Sequence, residues 1–227
     1  LMQLSALLRR KQWNKRIAGY RLSINTYTNQ VEKFVASLPF ELTNAQKKAV
    51  EEVFSDLEKD KPMNRLLEGD VGSGKTVVAG IAMYLLHLNG YQSVIMAPTE
   101  ILATQHYKTL SSILSPFDIH VELVTGNKKI QEKNFHVLVG THAVLSENIE
   151  FSRLGLVVID EQQRFGVKQR SGIRLKGKNP HVLTMTATPI PRTMALARYG
   201  DLDLSYLHEL PKGRKIIKTW LVSPEKR

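Results

Sequence analysis

Gly69-Asp70-Val71-Gly72-Ser73-Gly74-Lys75-Thr76 reads G-x-x-x-x-G-K-T, and its reading decides the fold. A loop this rich in glycine can turn consecutive backbone N–H groups inward around a polyphosphate without Cβ clashes. The helix expected after it aims its positive N-terminal end at the same anion. Lys75 supplies a point charge for the β- and γ-phosphates, and the Thr76 hydroxyl is a ligand for Mg²⁺. The flanks agree: Arg65-Leu66-Leu67-Glu68 reads as a short strand, and residues 77–88 read as a buried, mostly apolar helix. A strand before and a helix after separate the motif from a chance glycine turn, and predict a nucleoside triphosphate site.

Outward from that loop, helical patterns alternate with short apolar runs. Helices are expected over 43–59, 77–88 and 99–114, and strands over 65–68, 93–97, 120–124, 137–139, 156–159, 181–186 and 202–207. Leu156-Val157-Val158-Ile159 is continuously apolar rather than alternating, the mark of a parallel sheet covered on both faces. The alternation predicts a doubly wound α/β domain whose site lies at the carboxyl ends of the strands. Ahead of it, residues 1–18 read as an amphipathic helix, 19–29 as a polar break, and 30–38 as a second short helix ending before Pro39. This leading segment cannot build a core alone and is expected to dock elsewhere.

The chain has 227 residues, 42% of them apolar, enough for a sizeable core. It has no cysteine, which excludes disulfides and thiolate–metal sites and suits a reducing, cytoplasmic setting. No apolar run reaches membrane-spanning length. The chain opens on Leu1 within a helical pattern, which leads us to expect a piece of a longer protein. Net charge is +11, concentrated at the ends. Residues 1–40 carry seven basic groups against Glu32, and residues 208–227 carry six against Glu209 and Glu225. A polyanionic partner and a pair of solvated ends both fit that distribution.

A second constellation narrows the chemistry. The run 156–159 leads directly into Asp160-Glu161. A carboxylate ending such a strand is where a P-loop enzyme holds Mg²⁺ through its water shell, which assigns Asp160 to the metal side. Its neighbour Glu161 is the candidate general base for an attacking water. Thr186-Ala187-Thr188-Pro189 also ends an apolar strand, where small hydroxyls can hydrogen-bond the Asp160/Glu161 turn. Two adjacent acids favour hydrolysis over transfer to a small acceptor, and weigh against a nucleotide-dependent clamp without turnover.

In this order, Gly69–Thr76, Ala97-Pro98-Thr99-Glu100, Gly140-Thr141-His142, Asp160-Glu161-Gln162-Gln163 and Thr186-Ala187-Thr188 resemble motifs I, Ia, Ib, II and III of the superfamily 2 helicases. Leu38-Pro39-Phe40-Glu41-Leu42-Thr43, Arg164-Phe165-Gly166-Val167, Thr188-Pro189-Ile190-Pro191-Arg192-Thr193, Tyr199-Gly200-Asp201-Leu202-Asp203 and Leu210-Pro211-Lys212-Gly213-Arg214 are similar to the RecG branch. The transcription-repair coupling factor is the nearest competitor; Ser73 and the L-P-x-G-R stretch favour RecG. The resemblance implies a RecA-like P-loop NTPase lobe with a mostly parallel sheet flanked by helices, using ATP and Mg²⁺. It also implies a monomeric double-stranded DNA translocase that remodels forked and branched DNA.

On this reading residues 1–38 are a basic helical connector from a wedge domain, 39–215 the first RecA-like lobe, and 216–227 the start of the crossing to a second lobe. The resemblance assigns phosphate binding to Gly69–Thr76, catalysis to Lys75, Asp160 and Glu161, and coupling to Gln163, Arg164, Thr186 and Thr188. It gives DNA-backbone contacts to Thr99, Glu100, Thr125, Gly126, Thr141 and His142. It gives an adenine contact to Gln46, which the residues alone explain equally as half of a capping box with Thr43. Two departures stand out. Gln163 replaces the family's usual histidine and cannot carry charge, and the segment 126–135 is shorter than its counterpart.

Overall fold

The structure is a computed structural model that describes residues 22–128, 130, 134–188, 202–209 and 211, together with Lys11, Trp13, Ile17 and Ala18. Seven strands form one sheet: β1 (Asn64–Gly69), β2 (Gln92–Met96), β3 (Val121–Val124), β4 (Val137–Gly140), β5 (Leu154–Asp160), β6 (His181–Thr186) and β7 (Asp203–Leu207). Their order is β3-β4-β2-β5-β6-β1-β7, and every pairing is parallel. The helices are α1 (Thr28–Ala36), α2 (Asn44–Leu57), α3 (Lys75–Leu88), α4 (Glu100–Leu114) and α5 (Val167–Leu175).

The unbroken apolar runs have a simple cause. Successive side chains on a strand point to opposite faces. Leu156 and Val158 enter one core cluster with α1–α4, while Val157 and Ile159 enter another with Phe165 and Ile173. Ile95 and Val139 follow the first pair; Val94, Met96 and Leu138 follow the second. Strands β2, β4 and β5 are therefore apolar on both sides because both sides are covered.

Most expected elements appear within two or three residues of their predicted ends. The helix expected from Val77 begins at Lys75, inside the glycine motif itself. The polar break expected over 19–29 is a correction: a 3-10 turn forms at Asn25–Tyr27 and α1 starts at Thr28. Helix α5 was not expected at all. Lys168-Gln169-Arg170-Ser171-Gly172 has no apolar period, and the segment is anchored instead by fully buried Ile173.

The expected docking of the leading segment has a visible basis. Phe34 of α1 stacks on Tyr84 of α3 at 4.4 Å, and Phe117 meets both edge-on. Trp13 donates from Nε1 to the Pro62 carbonyl at 2.7 Å, with the Arg174 guanidinium over its ring, as a docking anchor would. Residues 1–10, 189–201 and 212–227, Trp220 among them, lie outside the described residues. Among the described residues no helix is long and apolar enough to cross a membrane.

The edge of the sheet opposite the site carries a polar network. Arg65 donates to Asp56 and Glu52 of α2 and to Ser205 of β7. Beside it His181, fully buried, accepts a hydrogen bond from the Met63 N–H at 3.0 Å. Burial pushes the His181 imidazole down to about 4, opposed by the nearby Asp56 carboxylate. The unfolded chain then binds the extra proton between its ordinary range near 6.5 and about 4, so stability falls as pH is lowered through that window. The full loss is on the order of 3 kcal/mol. His181→Asn keeps an acceptor for Met63 and cannot titrate, so unfolding midpoints measured from pH 7 to 4 should decline less steeply in the variant.

Candidate active site

The glycine motif bends where its residues allow. Gly72 and Gly74 hold φ of 80° and 88°, in the left-handed region that favours glycine. A Cβ on Gly74 would stand 2.1 Å from the Gln46 amide nitrogen, so this glycine is also required by packing. Gln46 is buried and makes three bonds. Its Oε1 accepts from the Thr43 N–H at 2.9 Å, and its backbone N–H donates to the Thr43 hydroxyl, closing the predicted capping box. Its Nε2 also donates to the Ser73 carbonyl at 2.8 Å, holding the loop from a helix 27 positions earlier. Ser73 Oγ is buried without a partner.

Lys75 curls back over its own loop, with Nζ donating to the carbonyls of Gly69 at 2.5 Å and Asp70 at 3.0 Å. Burial lowers the Lys75 ammonium from its ordinary range, while Asp160, Glu161 and Asp70 pull it back up. The ammonium is therefore held by neutral carbonyls, which a phosphate oxygen could replace, with carboxylates near that keep it charged. Left-handed glycines, a desolvated ammonium, an orphaned buried hydroxyl and the start of α3 fit a polyphosphate with its cation.

The carboxylates complete the site. Asp160 ends β5 and is buried. Glu161 follows at φ 48°, a left-handed conformation that costs a non-glycine residue about 1–2 kcal/mol. Its carboxylate is gripped on both oxygens: Oε1 accepts from the Ala187 N–H at 2.8 Å, and Oε2 from the Thr186 hydroxyl at 3.2 Å and from the Gln163 amide. The Thr188 N–H donates to the Thr186 hydroxyl at 3.2 Å, orienting it. Gln163, Thr186 and Thr188 thus gather on Glu161. The Arg164 backbone N–H donates to the Glu161 carbonyl, and its side chain is exposed. Phe165 packs into the second core cluster.

One residue was missed. His106, buried on α4, stands with Nδ1 3.3 Å from the Thr76 hydroxyl and Nε2 2.8 Å from Asp160 Oδ2. It belongs to none of the quoted motifs. Its one sequence signal is a histidine on the inward face of a helix whose other buried residues, Ala103, Leu110, Ile113 and Leu114, are apolar.

The residues expected to face DNA gather on a different stretch of the same edge. Thr99, Thr125 with Gly126, and Thr141 with His142 follow β2, β3 and β4, which are neighbours in the sheet. Thr99 caps α4 by accepting from the Leu102 N–H. Thr125 Oγ1 accepts from the Lys128 N–H, and Thr141 Oγ1 from the Ala143 N–H. Glu100 accepts from the Asn127 amide at 3.3 Å and so ties the 125–128 turn to the start of α4. His142 is exposed.

The DEAD/DEAH box helicase profile matches residues 43–196, from the capping box of α2 past the Thr186–Thr188 turn. The chain belongs to the DEAD/DEAH box helicase family. Several of its relatives are RecG proteins. It is 48% identical to the ATP-dependent DNA helicase RecG of Aquifex aeolicus over 97% of this chain, and 52% identical to that of Thermotoga maritima over 84%. It spans only 29% and 26% of those relatives. Among solved structures, a RecG bound to a three-way DNA junction superimposes with a TM-score of 0.81 at 42% identity, over 99% of this chain and 31% of that one. The UvsW helicase of bacteriophage T4, at 20% identity and a TM-score of 0.60 over 82% of this chain and 68% of that one, shares the fold. The domain is a RecA-like lobe, with the sheet and flanking helices of the RecG structure that it matches.

Proposed function

We propose that this chain is the first motor lobe of a RecG-like double-stranded DNA translocase that hydrolyses ATP to remodel forked and branched DNA. Residues 1–38 would be the connector from a wedge domain, 39–215 the lobe, and 216–227 the beginning of the crossing to a second lobe. The observation that carries the reading is the grip on Glu161. A carboxylate held in a left-handed turn by Ala187, Thr186 and Gln163 is oriented for one task. A clamp without turnover has no use for such a group.

ATP with Mg²⁺ supplies the scissile phosphoanhydride and a cation that draws charge from it. The chain's own residues do the rest. The backbone N–H groups of 72–76 and the Lys75 ammonium receive the phosphate oxygens, and Lys75 leaves its carbonyl partners to do so. The Thr76 hydroxyl and, through water, Asp160 would hold the cation. A carboxylate oxygen of Glu161 takes the proton of the attacking water. Thr186 and Thr188 link that oxygen to the 186–188 turn, so a shift there moves the base. The turns after β2, β3 and β4 receive the DNA backbone through N–H groups and hydroxyls, without reading sequence. Gln46 steadies the loop and keeps one amide hydrogen for the base edge. The RecG bound to a three-way junction supports the choice of branched DNA over the coupling-factor alternative.

The test uses the intact protein. Its ATP turnover should rise on adding a three-way DNA junction, measured by phosphate release. A rate unchanged by DNA would sink the motor reading.

A further inference from the structure

The two expected cation ligands sit on different elements, Thr76 in the first turn of α3 and Asp160 at the end of β5. One side chain from a third element touches both. His106 lies buried between them, with Nδ1 toward the Thr76 hydroxyl and Nε2 toward Asp160 Oδ2. A neutral imidazole has one donor nitrogen and one acceptor nitrogen. An ionised carboxylate only accepts, so Nε2 carries the hydrogen and donates to Asp160. In the neutral imidazole Nδ1 then accepts, and the Thr76 hydroxyl donates to it. The consequence is directional. With its hydrogen turned toward His106, the hydroxyl offers its lone pairs elsewhere, and Asp160 keeps Oδ1 for a water.

We propose that His106 is the positioning residue of the magnesium site, fixing the Thr76 hydroxyl and the Asp160 carboxylate relative to each other so that both face one cation. The proposal rests on the reading of Thr76 as a ligand of the cation and of Asp160 as holding it through water. Groups that orient metal ligands from behind typically change metal affinity by about 10- to 100-fold when removed. A buried histidine that merely fills its cavity would affect stability and leave the magnesium requirement alone.

The experiment is a titration of the intact protein with a fluorescent ADP analogue, with EDTA and with increasing magnesium chloride. His106→Ala should raise the magnesium concentration needed for half-maximal tightening about 10-fold or more, with the affinity in EDTA and the unfolding midpoint little changed. His106→Gln, whose amide has an adjacent donor and acceptor, should recover a large part of the loss. An unaltered magnesium requirement in His106→Ala, or an equal loss with and without magnesium, overturns the proposal. Thr76→Ala, run in parallel, separates the two levels. No change there would overturn the ligand reading and the proposal with it. A change there with none in His106→Ala would overturn only the role of His106.

Discussion

Glu161→Gln is expected to lower DNA-stimulated ATP turnover of the intact protein by about 10²- to 10⁴-fold, the range lost when a general base is removed. Nucleotide affinity should stay within a few-fold. Glutamine has the same shape and meets the same left-handed backbone, so the turn gains no new strain. It cannot accept a proton at the working pH. The hydrogen-bond pattern also suffers in a defined way. The carboxylate accepts from Ala187 on one oxygen and from Thr186 and Gln163 on the other. With the new oxygen toward the Ala187 N–H, the NH₂ faces the Thr186 hydroxyl and the Gln163 amide, both of which must turn to accept from it. Gln163 is exposed and can turn aside, so the protein should fold with its nucleotide site intact. Phosphate release with a three-way junction, beside a fluorescent-nucleotide titration, checks both halves. Turnover within about tenfold of the unsubstituted protein would remove Glu161 from the chemistry.

Lys75→Ala should act on binding as well as turnover. Its ammonium is partly desolvated and rests on the carbonyls of Gly69 and Asp70, with Asp160 and Glu161 near. Remove it, and the phosphates meet those carboxylates with one positive charge fewer beside them. Charge-assisted hydrogen bonds of this kind are worth about 1.5–3 kcal/mol, so triphosphate affinity should fall roughly 10- to 100-fold. Junction-stimulated turnover and remodelling should be lost. The unfolding midpoint should hold or rise slightly, because the folded state no longer keeps an ammonium that burial disfavours. Calorimetric titration and a melting curve on the same sample measure both. Retained remodelling would overturn the assignment of this loop.

The glycine motif, the strand before it and the acids at the end of β5 were legible because each is local. A left-handed loop demands glycine where it bends, and a strand buried on both faces demands an unbroken apolar run. Gln46 was legible only in part. Its capping bonds to Thr43 follow from a spacing of three, but its grip on Ser73 depends on α2 lying against the loop. Helix α5 stayed hidden because its polar sequence has no period, and a single side chain, Ile173, anchors it. The polar break expected over 19–29 failed for a related reason. Asn25-Thr26-Tyr27 looks like a loop by composition, yet packing of the segment beyond it lets helical turns begin there.

The sequence by itself determined a parallel, doubly wound sheet with a phosphate loop at one strand end and a pair of carboxylates at another. Period and motif spacing are properties of neighbouring residues, and no distant partner is needed to read them. Only the tertiary structure decided what stands between those two strand ends. His106 reaches Thr76 and Asp160 because α4 packs beside α3 at the edge where β5 ends, and separations of 30 and 54 positions leave no trace in local pattern. The same holds for Glu161. Its residue type was readable as a base, but its aim is set by Thr186 and Ala187, which β6 carries to it across the sheet.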